Sequence, residues 1–194
     1  MSTDSATAYD HHAKAFLRAR DHSNIGADVI GQWCRTLGKD AQILELACGG
    51  GYPITRVLQD AGLRLWAIES SPSLVAEFQR RFPDVLVQCA KVQDSDFFGR
   101  TYDAVLAVGL MFLLSETEQA DLIQRVAQAL LPGGYFLFTA PLQQCQWDDA
   151  TTGIASRSLG RTGYEKCMHS AGLRLIATYT DSGDNHYYEA QRIV

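Results

Sequence analysis

Ile43-Leu44-Glu45-Leu46-Ala47-Cys48-Gly49-Gly50-Gly51 is the stretch whose reading decides the fold. The apolar run Ile43 to Ala47 reads as a buried strand that breaks abruptly into three glycines. Beyond them Ile54, Val57, Leu58 and Ala61 recur at helical spacing, closed by Gly62. Strand, Gly-rich turn and helix open a nucleotide-type binding unit. Glycine accepts positive φ and lets a ligand approach bare backbone. A dinucleotide would rest its pyrophosphate on the N–H groups of the helix start. Pro53 removes one of those N–H groups, and Ile54 stands where a further glycine is expected. Glu45 adds a negative charge beside the turn, which repels phosphate and attracts a cation. The turn therefore predicts a ligand with a nucleoside and a positive charge, without phosphates.

Working outward, the next strand, residues 63–68, ends in Glu69, 18 residues after Gly51. An acid there meets ribose hydroxyls, with charge-assisted bonds to both. Ser71-Pro72 caps a helix whose apolar stripe is Leu74, Val75, Phe78 and Phe82, and Pro83 ends it. Val85-Leu86-Val87 is a third strand, and Tyr102 to Gly109 a fourth. Ser115-Glu116-Thr117-Glu118 forms a capping box, and its helix buries Leu122, Ile123, Val126, Ala129 and Leu130. The helix stops at Leu131-Pro132-Gly133-Gly134, and Tyr135 to Ala140 is a fifth strand. Residues 141–163 lack periodicity and read as a polar loop on the ligand side of the sheet. A helix from Tyr164 to Ala171, a strand from Leu173 to Tyr179, a turn at 182–185 and a strand from His186 to Val194 complete the chain.

These pieces, in order over roughly residues 40–194, resemble the class I S-adenosylmethionine (SAM)-dependent methyltransferases. Glu45-x-Ala47-x-Gly49-x-Gly51 is similar to that family's motif I, with Ala47 for the first glycine. Tyr102-Asp103 resembles its motif IV, and Leu130-Leu131-Pro132-Gly133-Gly134 before an apolar strand is a further family feature. The resemblance implies a Rossmann-like α/β three-layer sandwich. Its sheet would be seven-stranded and mostly parallel, with an antiparallel C-terminal hairpin and helices on both faces. It implies SAM as cofactor, with Glu45 at the methionine end and Ala47, Cys48, Gly49 and Gly51 making room. Glu69 and Ser70 would lie at the ribose, and Ala107 and Val108 beside the methionine part. Loop 90–98 would edge the adenine. Lys91 or Val92 stands where many members carry Asp, so the backbone of Val92 and Gln93 is the implied contact, with Asp94 as the side-chain alternative.

Residues 1–40 are expected as an N-terminal helical cap and 41–194 as the cofactor-binding domain, with the substrate loop at about 141–163. Helical spacing runs from Ala8 to Leu17 and more firmly from Ile25 to Leu37. The segment ahead of that second helix reads as solvated or, by the resemblance, as a lid that brings Tyr9 and Arg20 to the pocket. Methyl transfer from a sulfonium is a displacement at carbon, catalysed mainly by positioning and exclusion of water. It requires no metal and no covalent nucleophile, in keeping with the lack of metal-ligand spacing. A base helps only if the acceptor must lose a proton. Tyr9, His11, Trp147 and His186 are the candidates near the acceptor, and a surface position is the competing reading for each histidine.

Composition sets the outer limits. The chain has 194 residues, net charge −5 and 20% charged residues, which suits one α/β domain. With no basic block, strong electrostatic binding to DNA or RNA is not expected, and the acceptor is expected to be a small molecule. The polar, acidic start, Met1 to Asp10, does not read as a signal peptide, and the run Val105 to Leu114 is too short to span a bilayer. Five scattered cysteines suit reduced thiols and a cytoplasmic location. The oligomeric state is not encoded in any of these features. Two competing readings are an NAD-dependent oxidoreductase and a non-catalytic SAM-binding module.

Overall fold

The computed structural model describes residues 5–193. Residues 1–4 of the expected cap and Val194 of the expected last strand lie outside them. Two helices come first, α1 (Ser5–Asp21) and α2 (Ala27–Cys34). Then β1 (Gln42–Leu46), α3 (Ile54–Asp60), β2 (Arg64–Glu69), α4 (Pro72–Arg81) and β3 (Leu86–Cys89) alternate. The second half runs β4 (Tyr102–Ala107), α5 (Glu116–Ala129), β5 (Leu130–Thr139), β6 (Gln144–Asp148), β7 (Ala155–Leu159), α6 (Gly160–Ser170), β8 (Leu173–Thr180) and β9 (His186–Arg192).

Seven strands form one sheet in the order β3-β2-β1-β4-β5-β9-β8. β1 to β5 pair in parallel, and β9 is antiparallel to both β5 and β8. The chain winds outward from β1 to β3, then crosses to β4 on the other side of β1. That reversal leaves a crevice at the carboxyl ends of β1 and β4, where open α/β sheets bind ligands.

Strand alternation builds the two cores. Leu44, Leu46, Val105, Phe136 and Phe138 face Leu122, Ile123 and Val126 of α5 and Tyr164 and Met168 of α6. Ile43, Ala104, Leu106 and Leu137 face Val29, Ile30 and Trp33 of α2 and Leu58 of α3 on the opposite side. Neighbouring residues of one strand thus bury in different layers, so the strands read as continuous apolar runs. Trp33 Nε1 also donates to buried Glu189 on β9 (3.1 Å), tying α2 to the sheet.

The helix caps form as their sequence predicts. Ser71 Oγ accepts from Leu74 N–H, and Ser115 and Glu118 make both bonds of the capping box. Several boundaries differ, three of them around the second half of the sheet. Strand β5 begins at Leu130, and a register shift separates the Tyr102–Leu130 pair from Ala104–Tyr135, absorbing the Pro-Gly-Gly corner. Helix α6 starts at Gly160, four residues before Tyr164. The expected loop at 141–163 contains the hairpin β6–β7, paired from Gln144–Leu159 to Asp148–Ala155. Its inward positions include Ser156 and Ser158, so an alternation of burial exists without an alternation of hydrophobicity.

α1 extends three residues before and four beyond the expected Ala8–Leu17, and it lies across the glycine turn. A Cβ at Gly50 would stand 2.2 Å from Leu17, and one at Gly49 would stand 3.0 Å from Phe16. Asp10 accepts from Ser71 Oγ (2.6 Å) and Ser73 N–H (2.9 Å), and Asp21 pairs with Arg81 (2.7 Å). No helix among the described residues is long and apolar enough to cross a membrane.

Candidate active site

A cavity of about 260 Å³ opens at the carboxyl ends of β1 and β4. Its floor is Glu45, Ala47, Cys48 and Gly49 from the turn after β1, with Glu69 and Ser70 from the end of β2. Ala47 (φ 55) and Gly49 (φ 57) both adopt the left-handed conformation. That conformation strains Ala47, a residue with a Cβ, and the strain bends the strand sharply over the crevice. Pro53 is the N-cap of α3, with no side-chain cap, and offers no N–H to an anion.

Two carboxylates are buried in this floor. Glu69, 5% exposed, accepts from Gly49 N–H (2.9 Å) and Ser71 N–H (2.8 Å). One side chain therefore ties the glycine turn to the end of β2 and keeps lone pairs for a ligand. Burial raises its pKa, against the pull of those amides. Glu45 is 4% exposed and accepts from Thr55 Oγ1 on α3 (2.7 Å). Burial pushes its pKa up to about 8; the Thr55 bond opposes this and the Glu69 charge adds to it. Its second oxygen has no hydrogen-bond partner among the described residues.

Across the cavity stand Tyr9, Phe16 and Arg20 of α1, Thr139 of β5, Asp181 and Asn185 of the β8–β9 turn, and Tyr187 of β9. Among the described residues no acceptor takes the Arg20 guanidinium N–H groups. Burial lowers its pKa, while Tyr187 and Asp181 favour its charge. Asp181 is already saturated: it accepts from the N–H groups of Gly183 and Asn185, from Asn185 Nδ2 and from Tyr187 OH. Thr139 Oγ1 accepts from Gly109 N–H (2.8 Å), which anchors the loop after β4. Tyr9 OH donates to Asp149 at the hairpin (3.3 Å), and burial followed by the Asp149 charge raises its pKa. Tyr9 is thus a hydrogen-bond donor and wall, unsuited to act as a base.

A smaller cavity of about 40 Å³ shares Ala47, Glu69, Ser70 and Leu110 with the first and adds Val92 and Gln93. The expected site residues Glu45, Ala47, Cys48, Gly49, Glu69, Ser70, Val92, Gln93, Val108 and Arg20 thus all border this joined space.

Five expected residues do not border it. Gly51 makes room for Phe82 instead of a ligand, since a Cβ there would come within 2.1 Å of that ring. Ala107 is fully buried, facing the α5–α6 core. His11 is exposed on α1, and His186 is engaged with Thr180 Oγ1 (3.0 Å). Trp147 stands one layer back, its ring 5.4 Å from that of Phe112, which lines the cavity. None of the five histidines borders the cavity. Phe16, Tyr52, Thr139 and Asp181 were not found by sequence reasoning. Asp181 alone carries a signal, an Asp opening a turn before Ser-Gly.

The site fits a cationic nucleoside. It offers buried carboxylates, a left-handed backbone corner and a helix start that lacks the first anion donor. The NAD reading fails on that last point. A family model described as a methyltransferase domain matches residues 43–134. A dTDP-3-amino-3,6-dideoxy-α-D-glucopyranose N,N-dimethyltransferase of Streptomyces fradiae is 24% identical over 186 residues, covering 91% of this chain and 72% of that protein. The fold is similar to a SAM-bound amino pentose methyltransferase of Micromonospora echinaspora (TM-score 0.73, 17% identity, 92% of this chain and 95% of that one). It is also similar to a SAM-dependent methyltransferase of Clostridium acetobutylicum (TM-score 0.74, 14% identity, 96% and 99%). Order of elements, cavity and likenesses converge on a SAM-dependent methyltransferase: residues 43–134 match the methyltransferase-domain model, and the chain has the fold of the class I SAM-dependent enzymes.

Proposed function

We propose that the chain methylates an amine nitrogen of a small, polar, sugar-like acceptor. The observation that carries this reading is the cavity roofed by α1 and floored by buried carboxylates. A space of about 260 Å³ suits a small acceptor. Amino-sugar acceptors are named for two of the similar proteins, which supports nitrogen over oxygen.

SAM, when bound, supplies an electrophilic methyl group on a sulfonium. The chain's own groups would divide the remaining work. Glu69 holds the ribose hydroxyls, taking them on the lone pair that Gly49 leaves on Oε2 and in place of the long Ser70 Oγ bond (3.4 Å) on Oε1. Glu45 faces the ammonium end of the methionine part, and the unpaired guanidinium of Arg20 faces its carboxylate. The backbone of Val92 and Gln93 edges the adenine. Phe112, Thr139 and Tyr187 face the acceptor, and α1, the first helix of the 1–40 cap, excludes water as a lid latched by Tyr9–Asp149. Rate enhancement comes from alignment of nitrogen and methyl in a dry site. The five cysteines, all free, support a cytoplasmic location.

The test is turnover with SAM on matched pairs of nucleotide-linked sugars, amino against hydroxyl, including dTDP-3-amino-3,6-dideoxyglucose. Release of S-adenosylhomocysteine with a methyl mass gain on the amino sugars is expected. Turnover confined to the hydroxyl sugars would overturn the nitrogen assignment.

A further inference from the structure

Arg125 of α5 has no carboxylate partner among the described residues. Its guanidinium is spent on main-chain carbonyls: Nη1 donates to Val92 O (2.7 Å) and Gln93 O (3.2 Å), and Nη2 to Ser95 O. It also lies over the Phe97 ring, 4.6 Å from its centroid. Seven residues earlier on the same helix, and so on the same face, Glu118 accepts from Gln93 Nε2 (2.9 Å). α5 therefore grips the loop after β3 twice, from the side away from the cavity.

The peptide plane carries the consequence. In a trans peptide the N–H of one residue points opposite to the carbonyl of the residue before it. With Val92 O turned onto Arg125, Gln93 N–H points away from α5. No acceptor among the described residues takes that N–H. The next N–H, of Asp94, is consumed within the turn by Lys91 O (3.0 Å). Gln93 borders the small cavity that adjoins Glu69 and Ser70.

We propose that Arg125 is a positioning residue for base recognition: by clamping the Val92 carbonyl it aims Gln93 N–H at the purine edge. The inference rests on the reading of Val92–Gln93 as the adenine contact. A fixed N–H donor suits adenine N1, an acceptor, and opposes the N1–H of hypoxanthine. A donor facing a donor leaves two polar groups unsatisfied, which is a strong basis for selectivity.

The test is calorimetry with S-adenosylhomocysteine and its deaminated analogue, S-inosylhomocysteine, on the full chain. Wild type is expected to prefer the adenosyl form by about tenfold or more, the worth of one well-placed hydrogen bond. Arg125→Met should weaken adenosyl binding about tenfold and shrink the preference to about threefold or less. Arg125→Lys, whose single ammonium cannot span three carbonyls, should fall between, and it serves if the Met variant does not fold. A merely structural role would weaken both ligands equally and leave the ratio intact, which would overturn the proposal. So would wild-type affinities and ratio in either variant. A wild type that binds both forms equally would overturn the adenine contact and this inference together. Failure of wild type to bind the adenosyl form at all would instead strike the cofactor site itself.

Discussion

The two walls of the cavity are held by different means. On the β1–α3 side, backbone geometry does the holding. Ala47, Gly49 and Gly51 take positive φ, and Glu69 closes the corner through two main-chain amides. On the α1 side, side chains from distant segments do it. Tyr9 reaches Asp149, 140 residues away, and Asp10 reaches Ser71, 61 residues away. A wall of constrained backbone is stiff and intolerant. A wall of side-chain bonds between separate elements yields locally, which suits a lid over a site that must open and close.

Glycine substitutions give the largest expected contrast. Gly51→Ala combines φ +87 with a Cβ 2.1 Å from Phe82, and should cost about 3 kcal/mol in urea unfolding. Gly153→Ala, in the hairpin turn, shares a positive φ (+70) but meets nothing within 4 Å, and should cost about 1 kcal/mol. Equal losses would mean that the Phe82 contact adds nothing to the strain of a positive φ at Gly51.

Glu69→Gln comes next. It removes the charge from the carboxylate assigned to the ribose and sets an NH2 against one of the two amides, Gly49 or Ser71, that its oxygens accept from. Affinity for S-adenosylhomocysteine should fall about 100-fold by calorimetry, the worth of two charge-assisted hydrogen bonds. An unchanged affinity would remove Glu69 from the cofactor site.

The pH dependence sharpens the same wall. Glu45 titrates near 4.5 when unfolded and near 8 in the folded, ligand-free protein. The folded state therefore binds more protons between those values, and stability should decline as pH rises from about 4.5 to 8. A cation bound beside Glu45 favours the carboxylate. SAM affinity should climb with pH toward a plateau near 8, and binding at pH 7 should release a proton that Glu45→Gln does not release. A flat profile, identical in wild type and Glu45→Gln, would contradict this.

Tyr9→Phe should have the smallest effect. Asp149 keeps its bonds from the N–H groups of Thr151 (3.1 Å) and Thr152 (2.8 Å), so the hairpin stays formed. Acceptor KM should rise about threefold in steady-state assays, while S-adenosylhomocysteine affinity stays within about twofold. A loss larger than that of Glu69→Gln would invert the comparison.

The same difference explains what was legible in the chain. Backbone demands leave residue types behind: glycine at a left-handed corner, an acid at a strand end, Ser-Pro at a helix start, Pro-Gly-Gly at a corner. The parallel sheet, the order of elements and the carboxylate floor could be read from these. Contacts between distant side chains leave no local trace, so nothing near Tyr9 announces Asp149. Hairpin β6–β7 escaped because its buried positions carry Ser156 and Ser158. The glycines misled in one respect. Gly50 and Gly51 serve Leu17 and Phe82, and packing and ligand approach require the same residue.

The most direct measurement is a crystal structure with S-adenosylhomocysteine bound. The account predicts both ribose hydroxyls on Glu69 and the amino-acid end between Glu45 and Arg20, over Ala47 and Gly49. A nucleoside seated elsewhere, with Glu69 bonded to Gly49, Ser70 and Ser71 and to no ribose hydroxyl, would contradict it.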